Sequence, residues 1–234
     1  MSLITELFDR MDLWRQLPNY QLERRADLFF SLYLPEALET KLGFPVRSEL
    51  VPEFPVRIGT VCPNKPINKS FKIDYLALSS ESDKAIFVEL KTEERSRRIK
   101  QDKYLAAARD IGLTRLLKGL LDIFRVTNAK AKYYCLLEQL DHLGLIQVPA
   151  KLREIMTRSN LQGANEASHE VRVTCRTKQC LIVYVQPNGH GPNIISFAEF
   201  RTIVQNNNDA LSARFAESLN EWAVIQAGKK ASNN

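Results

Sequence analysis

Ile4, Leu7, Phe8 and Met11 recur at helical spacing behind Ser2, a residue type that caps helix N-termini, and predict a short amphipathic helix that ends by Pro18. A second helix is predicted over 22–42, where Leu28, Phe29, Leu32, Leu34 and Leu38 are apolar and Gly43 supplies a stop. Pro35 lies inside it, which predicts a kink or a division into two helices. Over 44–61 short alternation interrupted by Pro45, Pro52 and Pro55 reads as an irregular or edge strand, and 62–70 reads as a loop. Two well-formed strands follow, 71–78 and 85–91, joined by a polar turn into a hairpin.

Downstream, Leu105, Ala108, Leu113, Leu116, Leu117, Leu120 and Leu121 keep spacings of three and four across a basic helical region over 94–124, which Gly112 divides. A helix at 133–143, a polar mobile loop at 156–168 and strands at 171–174 and 181–185 come next. A turn at 187–192 precedes closing helices at 197–204 and 211–225, and 228–234 reads as a frayed tail. With no internal repeat, the expectation is one α/β domain over 1–227 with helical elaborations.

Composition adds little to this picture until charge is placed along the chain. The 234 residues are 44% apolar and 26% charged, as in ordinary globular proteins, and the length suffices for a core without disulfides or a structural metal. Net charge is +6, and residues 91–132 alone hold twelve Lys or Arg against five Asp or Glu, leaving the rest of the chain slightly acidic. An acidic partner such as nucleic acid fits that segment. No apolar run reaches the roughly 20 residues of a membrane span, and acids punctuate the N-terminus, so the expected setting is cytoplasmic, with no membrane partner. Cys62, Cys135, Cys175 and Cys180 form no CxxC pair and read as reduced, mostly buried thiols; with His169 and His190 they match no standard zinc spacing. Phosphate-loop, dinucleotide and nucleophile-elbow motifs are absent.

The hairpin carries the chemistry. Alternation along a strand puts Glu89 and Lys91 on one face and turns Val88 and Leu90 toward the core. A turn centred between Glu81 and Ser82 pairs residues whose numbers sum to 163, which sets Asp74 opposite Glu89. Two carboxylates so placed repel unless a cation lies between them, and paired hard oxygens with open positions suit Mg²⁺ or Mn²⁺. Lys91 beside them could orient a water or stabilise charge on a phosphate.

Ile73-Asp74, a fourteen-residue gap and Glu89-Leu90-Lys91 at the end of an apolar strand, with a helix before and after, resemble the PD-(D/E)XK nuclease superfamily. The resemblance covers about 22–125 and implies a restriction-endonuclease-like mixed β-sheet flanked by helices, with 181–185 as its fourth core strand. It implies that Asp74, Glu89 and the Leu90 carbonyl ligate the metal and that Lys91 is the catalytic lysine. Members often add an acid from the preceding helix or first strand; Glu36, Glu39, Glu49 and Glu53 are candidates, with Glu53 favoured. Some also carry Gln and Tyr four apart on the following helix, where this chain has Gln101 and Tyr104 three apart, still on one helical face.

The implied activity is hydrolysis of phosphodiester bonds in DNA, with RNA a further substrate class and a homo-oligomer compatible with the sequence. Arg95, Arg97, Arg98, Lys100 and Lys103 follow the site directly and would neutralise flanking phosphates; the bland alternative is a solvated helix face. The alternative to catalysis is a nuclease-fold module that binds nucleic acid or a partner protein, with Lys91 merely salt-bridged to one of the acids.

Overall fold

A computed structural model describes residues 2–63, 69–93, 97–158 and 161–231. In chain order the elements are α1 (Leu3–Trp14), α2 (Glu23–Leu42), β1 (Val51–Arg57), α3 (Ile58–Val61), β2 (Ser70–Leu78) and β3 (Lys84–Leu90). The helices α4 (Ile99–Ile111), α5 (Leu113–Val126) and α6 (Lys130–His142) follow, then β4 (Ile146–Gln147), α7 (Ala150–Met156), α8 (Ala164–Ala167) and β5 (Arg172–Val173). The chain closes with β6 (Gln179–Gln186), β7 (Ile194–Ser196), α9 (Phe197–Val204) and α10 (Ala210–Ala231). A five-stranded sheet has the order β1-β2-β3-β6-β7, and β4 pairs with β5 in a separate two-stranded ladder. Because β1 and β2 run antiparallel while β6 and β7 run parallel, the sheet is mixed and the class is α/β, as expected. Among the described residues no helix is long and apolar enough to cross a membrane.

The chain divides into two compact units, and β3 passes from one to the other. One unit comprises Val51–Phe87 and Lys103–Leu181. There β1 and β2 pair from Val51↔Leu76 to Arg57↔Ser70. β1 is the sheet's edge, the position where Pro52 and Pro55 are tolerated for want of a ladder donor. The hairpin into β3 closes with the Ser79 N–H donating to the Lys84 carbonyl at 3.0 Å, a pair whose numbers sum to 163 as the sequence suggests. The Ser79 hydroxyl also donates to Asp83 at 2.8 Å and fixes the turn. α5 packs on β1 with Leu113, Leu116, Leu117, Leu120, Leu121, Ile123 and Phe124 all buried. Gly112, at φ 84°, separates α4 from α5, a backbone angle that favours glycine.

The other unit comprises Met1–Leu50, Val88–Asp102 and Ile182–Asn234. Its helices meet over an aromatic core: Phe30 lies 5.0 Å from Phe200, 5.2 Å from Phe215 and 5.4 Å from Phe197, ring centre to ring centre. Asp12 ties α1 to α10 by accepting from Trp222 Nε1 at 2.6 Å, Arg214 Nη2 at 2.6 Å and Ser218 Oγ at 3.0 Å. Three donors satisfy a carboxylate that burial alone would penalise. Lys91 N–H donates to the Val185 carbonyl at 2.8 Å, so the chain leaving β3 is still held by β6.

Several expectations change. α2 is one continuous helix through Pro35, and α10 continues past 225 to Ala231; residues 232–234 of the expected tail lie outside the described residues. Part of the expected loop at 156–168 is the short helix α8, with residues 159 and 160 outside the description. The strand expected at 171–174 joins β4 rather than the main sheet, and β7 was not anticipated. Of the cysteines only Cys180 is buried, and Cys135 is exposed.

Ser196 caps α9: its hydroxyl accepts from the Glu199 N–H at 3.2 Å, and Glu199 accepts in return from the Ser196 N–H at 2.7 Å. Burial raises the Glu199 carboxyl, but bonds from Lys41 and from the Ser196 N–H and hydroxyl outweigh it and hold the group below its ordinary value. Ser196→Ala is expected to lower stability by about 1 kcal/mol, read as a fall of a few degrees in melting temperature; an unchanged melt would show that the cap contributes nothing.

Candidate functional site

β3 reads Lys-Ala-Ile-Phe-Val-Glu-Leu, and every residue from Ala85 to Leu90 is buried. The expected division into a core face and a polar face therefore does not describe it: residues on both faces are buried, and Glu89 is 0% and Lys91 4% exposed. The two do share a side, since Lys91 Nζ lies 3.0 Å from Glu89 Oε2. The same ammonium donates to the Leu90 carbonyl at 3.0 Å. It thus bridges a carboxylate and a backbone carbonyl, two hard oxygens of the kind that hold Mg²⁺ or Mn²⁺.

Two further neighbours belong to the cluster. Gln101, in the first turns of α4, donates its side-chain amide to Glu89 Oε2, so the glutamine expected to support the site does touch it. Glu23, in the first turn of α2, brings Oε1 to 3.9 Å from Lys91 Nζ. Glu23 was not among the upstream acids named from the sequence. It stands at the start of α2, 68 positions before Lys91 and far from the hairpin along the chain.

The four named acids have partners of their own. Glu53 has φ 52°, a left-handed angle unusual for a glutamate, and its exposed carboxylate pairs with Lys72. Glu39 accepts from the Val46 N–H at 2.8 Å, Glu36 from Asn206 at 3.5 Å, and Glu49 is exposed beside Ser48 and Arg47. Asp74 is half-buried on β2. Tyr104 stacks on Phe71 with ring centres 5.3 Å apart and planes inclined by 18°. Asp74, Glu53, Lys103 and Tyr104 belong to the unit that contains β1 and β2, and Glu89, Leu90, Lys91 and Gln101 to the other.

Beside Gln101, Asp102 accepts from the Tyr184 hydroxyl at 2.8 Å and from Arg97 Nε at 3.0 Å, and the Arg97 guanidinium lies 4.0 Å from the Tyr184 ring centre. Burial, then the bond to Asp102 and its charge, push the Tyr184 phenol well above its ordinary value; Arg97 opposes this and the Glu89 charge adds to it. Neither Tyr184 nor Asp102 was singled out from sequence, although a tyrosine hydroxyl inside the apolar run Leu-Ile-Val-Tyr-Val was a signal that a polar partner was needed. Arg98, Lys100 and Lys103 are exposed, and Arg95 lies outside the described residues. Among the described residues no three His, Cys, Asp or Glu side chains form a metal-binding group by themselves.

A buried ion pair is costly to desolvate, and apolar residues of similar size often serve stability as well or better. Apart from Lys84 at its start, the strand that carries Glu89 is Ala, Ile, Phe, Val and Leu, and Lys91 follows it directly. No protein-family model matches the sequence, and no curated protein or solved structure shows detectable similarity to it.

Removing one partner should expose the cost. Lys91→Met is expected to destabilise the fold by about 3–5 kcal/mol, seen as a melting temperature lowered by roughly 10 °C. The double variant Glu89→Leu with Lys91→Met should recover most of that loss. Equal destabilisation in the two proteins would mean that the pair is not mutually dependent.

Proposed function

We propose that this protein is a metal-dependent nuclease of the PD-(D/E)XK type that hydrolyses phosphodiester bonds, with DNA as its first substrate. The observation that carries the reading is the Lys91 ammonium held 3.0 Å from both the Glu89 carboxylate and the Leu90 carbonyl at the end of a buried central strand. Glu89 and the Leu90 carbonyl would hold Mg²⁺ or Mn²⁺, with Asp74 the further ligand that the resemblance to the superfamily implies. Such a metal polarises a phosphoryl oxygen and makes a bound water acidic enough to act as nucleophile near neutral pH.

The chain's own side chains have separate tasks. Gln101 fixes the Glu89 carboxylate by its amide bond, so that one oxygen keeps a set orientation. Lys91, once released from the two oxygens, reaches the attacking water or the phosphoryl oxygen on which charge accumulates. Glu23 brings a carboxylate oxygen within 4 Å of that ammonium. In the reaction the water oxygen, losing a proton to solvent, bonds to phosphorus, and one ester P–O bond breaks, its electron pair leaving on the sugar oxygen, which takes up a proton from solvent. The exposed Arg98, Lys100 and Lys103 supply charge for the flanking backbone.

A second reading is favoured by the same ion pair: if Lys91 and Glu89 only satisfy each other, the fold is a non-catalytic module that binds nucleic acid or a partner protein. The two separate in one experiment. The protein is incubated with linear, circular, single-stranded and branched DNA and with RNA, in Mg²⁺, Mn²⁺ or EDTA, beside Glu89→Gln, which keeps the side chain's size, at a temperature where the melting curve shows the variant folded. Cleavage that needs the metal and falls by about 100-fold or more in Glu89→Gln is expected. Salt-sensitive binding without cleavage of any substrate would transfer the conclusion to the module, and cleavage unchanged in Glu89→Gln would exclude this site.

A further inference from the structure

Among the basic residues that follow β3, Arg97 is built differently from its neighbours. Its Nε donates to Asp102 Oδ2 at 3.0 Å, and the other Asp102 oxygen accepts from the Tyr184 hydroxyl at 2.8 Å. The Tyr184 ring lies under the guanidinium, 4.0 Å from its carbon. Each of the three side chains therefore holds the other two, and Tyr184 itself is buried in β6 with only 7% exposure. Stacking fixes the plane of the guanidinium, and the Nε bond fixes its rotation within that plane. Arg97 is nonetheless 38% exposed, and among the described residues its two terminal nitrogens make no hydrogen bond.

We propose that Arg97 is a pre-aimed phosphate clamp of the candidate site, its terminal amino groups forming a fork for two oxygens of a backbone phosphate, with Tyr184 and Asp102 as its positioning residues. The proposal rests on the reading of the site as one that receives a phosphodiester backbone. A guanidinium has five donors; using Nε internally leaves the planar pair that matches phosphate geometry, and a lysine could reproduce neither the stack nor the fork. The clamp stands close to the reacting groups, because Asp102 directly follows Gln101, whose amide reaches Glu89. The Glu89 charge is also felt at Tyr184. Arg98 is exposed and next in sequence, and its contribution would be that of a single screened charge. Contact to the backbone carries no sequence information, so the clamp would serve any base sequence.

The test compares Arg97→Gln, Arg97→Lys, Tyr184→Phe and Arg98→Gln with the unaltered protein. Binding to fluorescent single- and double-stranded DNA is measured in Ca²⁺ or EDTA across a salt series, and KM and kcat in Mg²⁺ on the DNA that is cut. Arg97→Gln is expected to weaken binding and raise KM by about tenfold, with Arg97→Lys recovering only a minor part. Tyr184→Phe, which keeps the ring and loses the tie to Asp102, should give an intermediate loss, while Arg98→Gln changes binding by no more than about threefold. Melting temperatures of all four should stay near the parent's.

Equal losses in Arg97→Gln and Arg98→Gln, or full recovery in Arg97→Lys, would overturn the clamp while leaving the nuclease reading in place. Lowered melting temperature with unchanged DNA affinity would overturn it as well, making the triad structural. If the parent binds DNA without cutting, the nuclease reading fails and the ratio of the two arginine variants still decides the clamp. If it binds no nucleic acid at low salt, both fail.

Discussion

The ion pair between Glu89 and Lys91 is the constraint around which the rest of the site is arranged. Two opposite charges 3.0 Å apart with almost no exposure are costly to desolvate and depend on the polar groups around them. Gln101 answers part of the carboxylate, the Leu90 carbonyl answers part of the ammonium, and Glu23 adds a second negative charge at 3.9 Å. Those partners come from three different parts of the chain: the start of α2, the end of β3 and the start of α4. A central strand is needed to bury the pair, and two helices with N-terminal turns near it are needed to satisfy it.

The helices are held in turn by interactions that have no part in chemistry. The aromatic core around Phe30 and Phe215 packs α2 with α9 and α10, and the Asp12 network fastens α1 to α10. On the other side of the pair, Tyr184 in β6 anchors the beginning of α4 through Asp102. A site whose geometry must be kept within a few tenths of an ångström gains from being set on a strand and on helix starts rather than on loops.

Much of this was legible in the sequence where local rules act alone. The hairpin turn, the break at Gly112, and the helix 197–204 behind Ser196 each depend on neighbours a few residues apart, and each stands where its turn or cap residues place it. The candidate pair Glu89 and Lys91 was legible for the same reason, since strand alternation alone puts them on one side. What escaped depends on distant partners. Burial of both faces of β3 depends on groups packed above and below the sheet, which alternation within β3 cannot reveal. Glu23 is 68 positions before Lys91, and Tyr184 is 82 positions from Asp102, so neither has a local signature. β7, only three residues long, is a strand because β6 pairs with it, and Pro35 is carried through α2 because packing of Tyr33, Leu34, Ala37 and Leu38 outweighs one lost helix bond.

The most direct test of the claim that Glu89 and Leu90 form a cation site is calorimetric titration of Mn²⁺ and Mg²⁺ into the protein without nucleic acid, beside Glu89→Gln and Asp74→Asn. One saturable site in the unaltered protein, weakened in both variants, is the expected result. Equal binding in all three proteins, or none in the unaltered protein up to the millimolar range, would contradict it and leave the buried pair a purely structural feature.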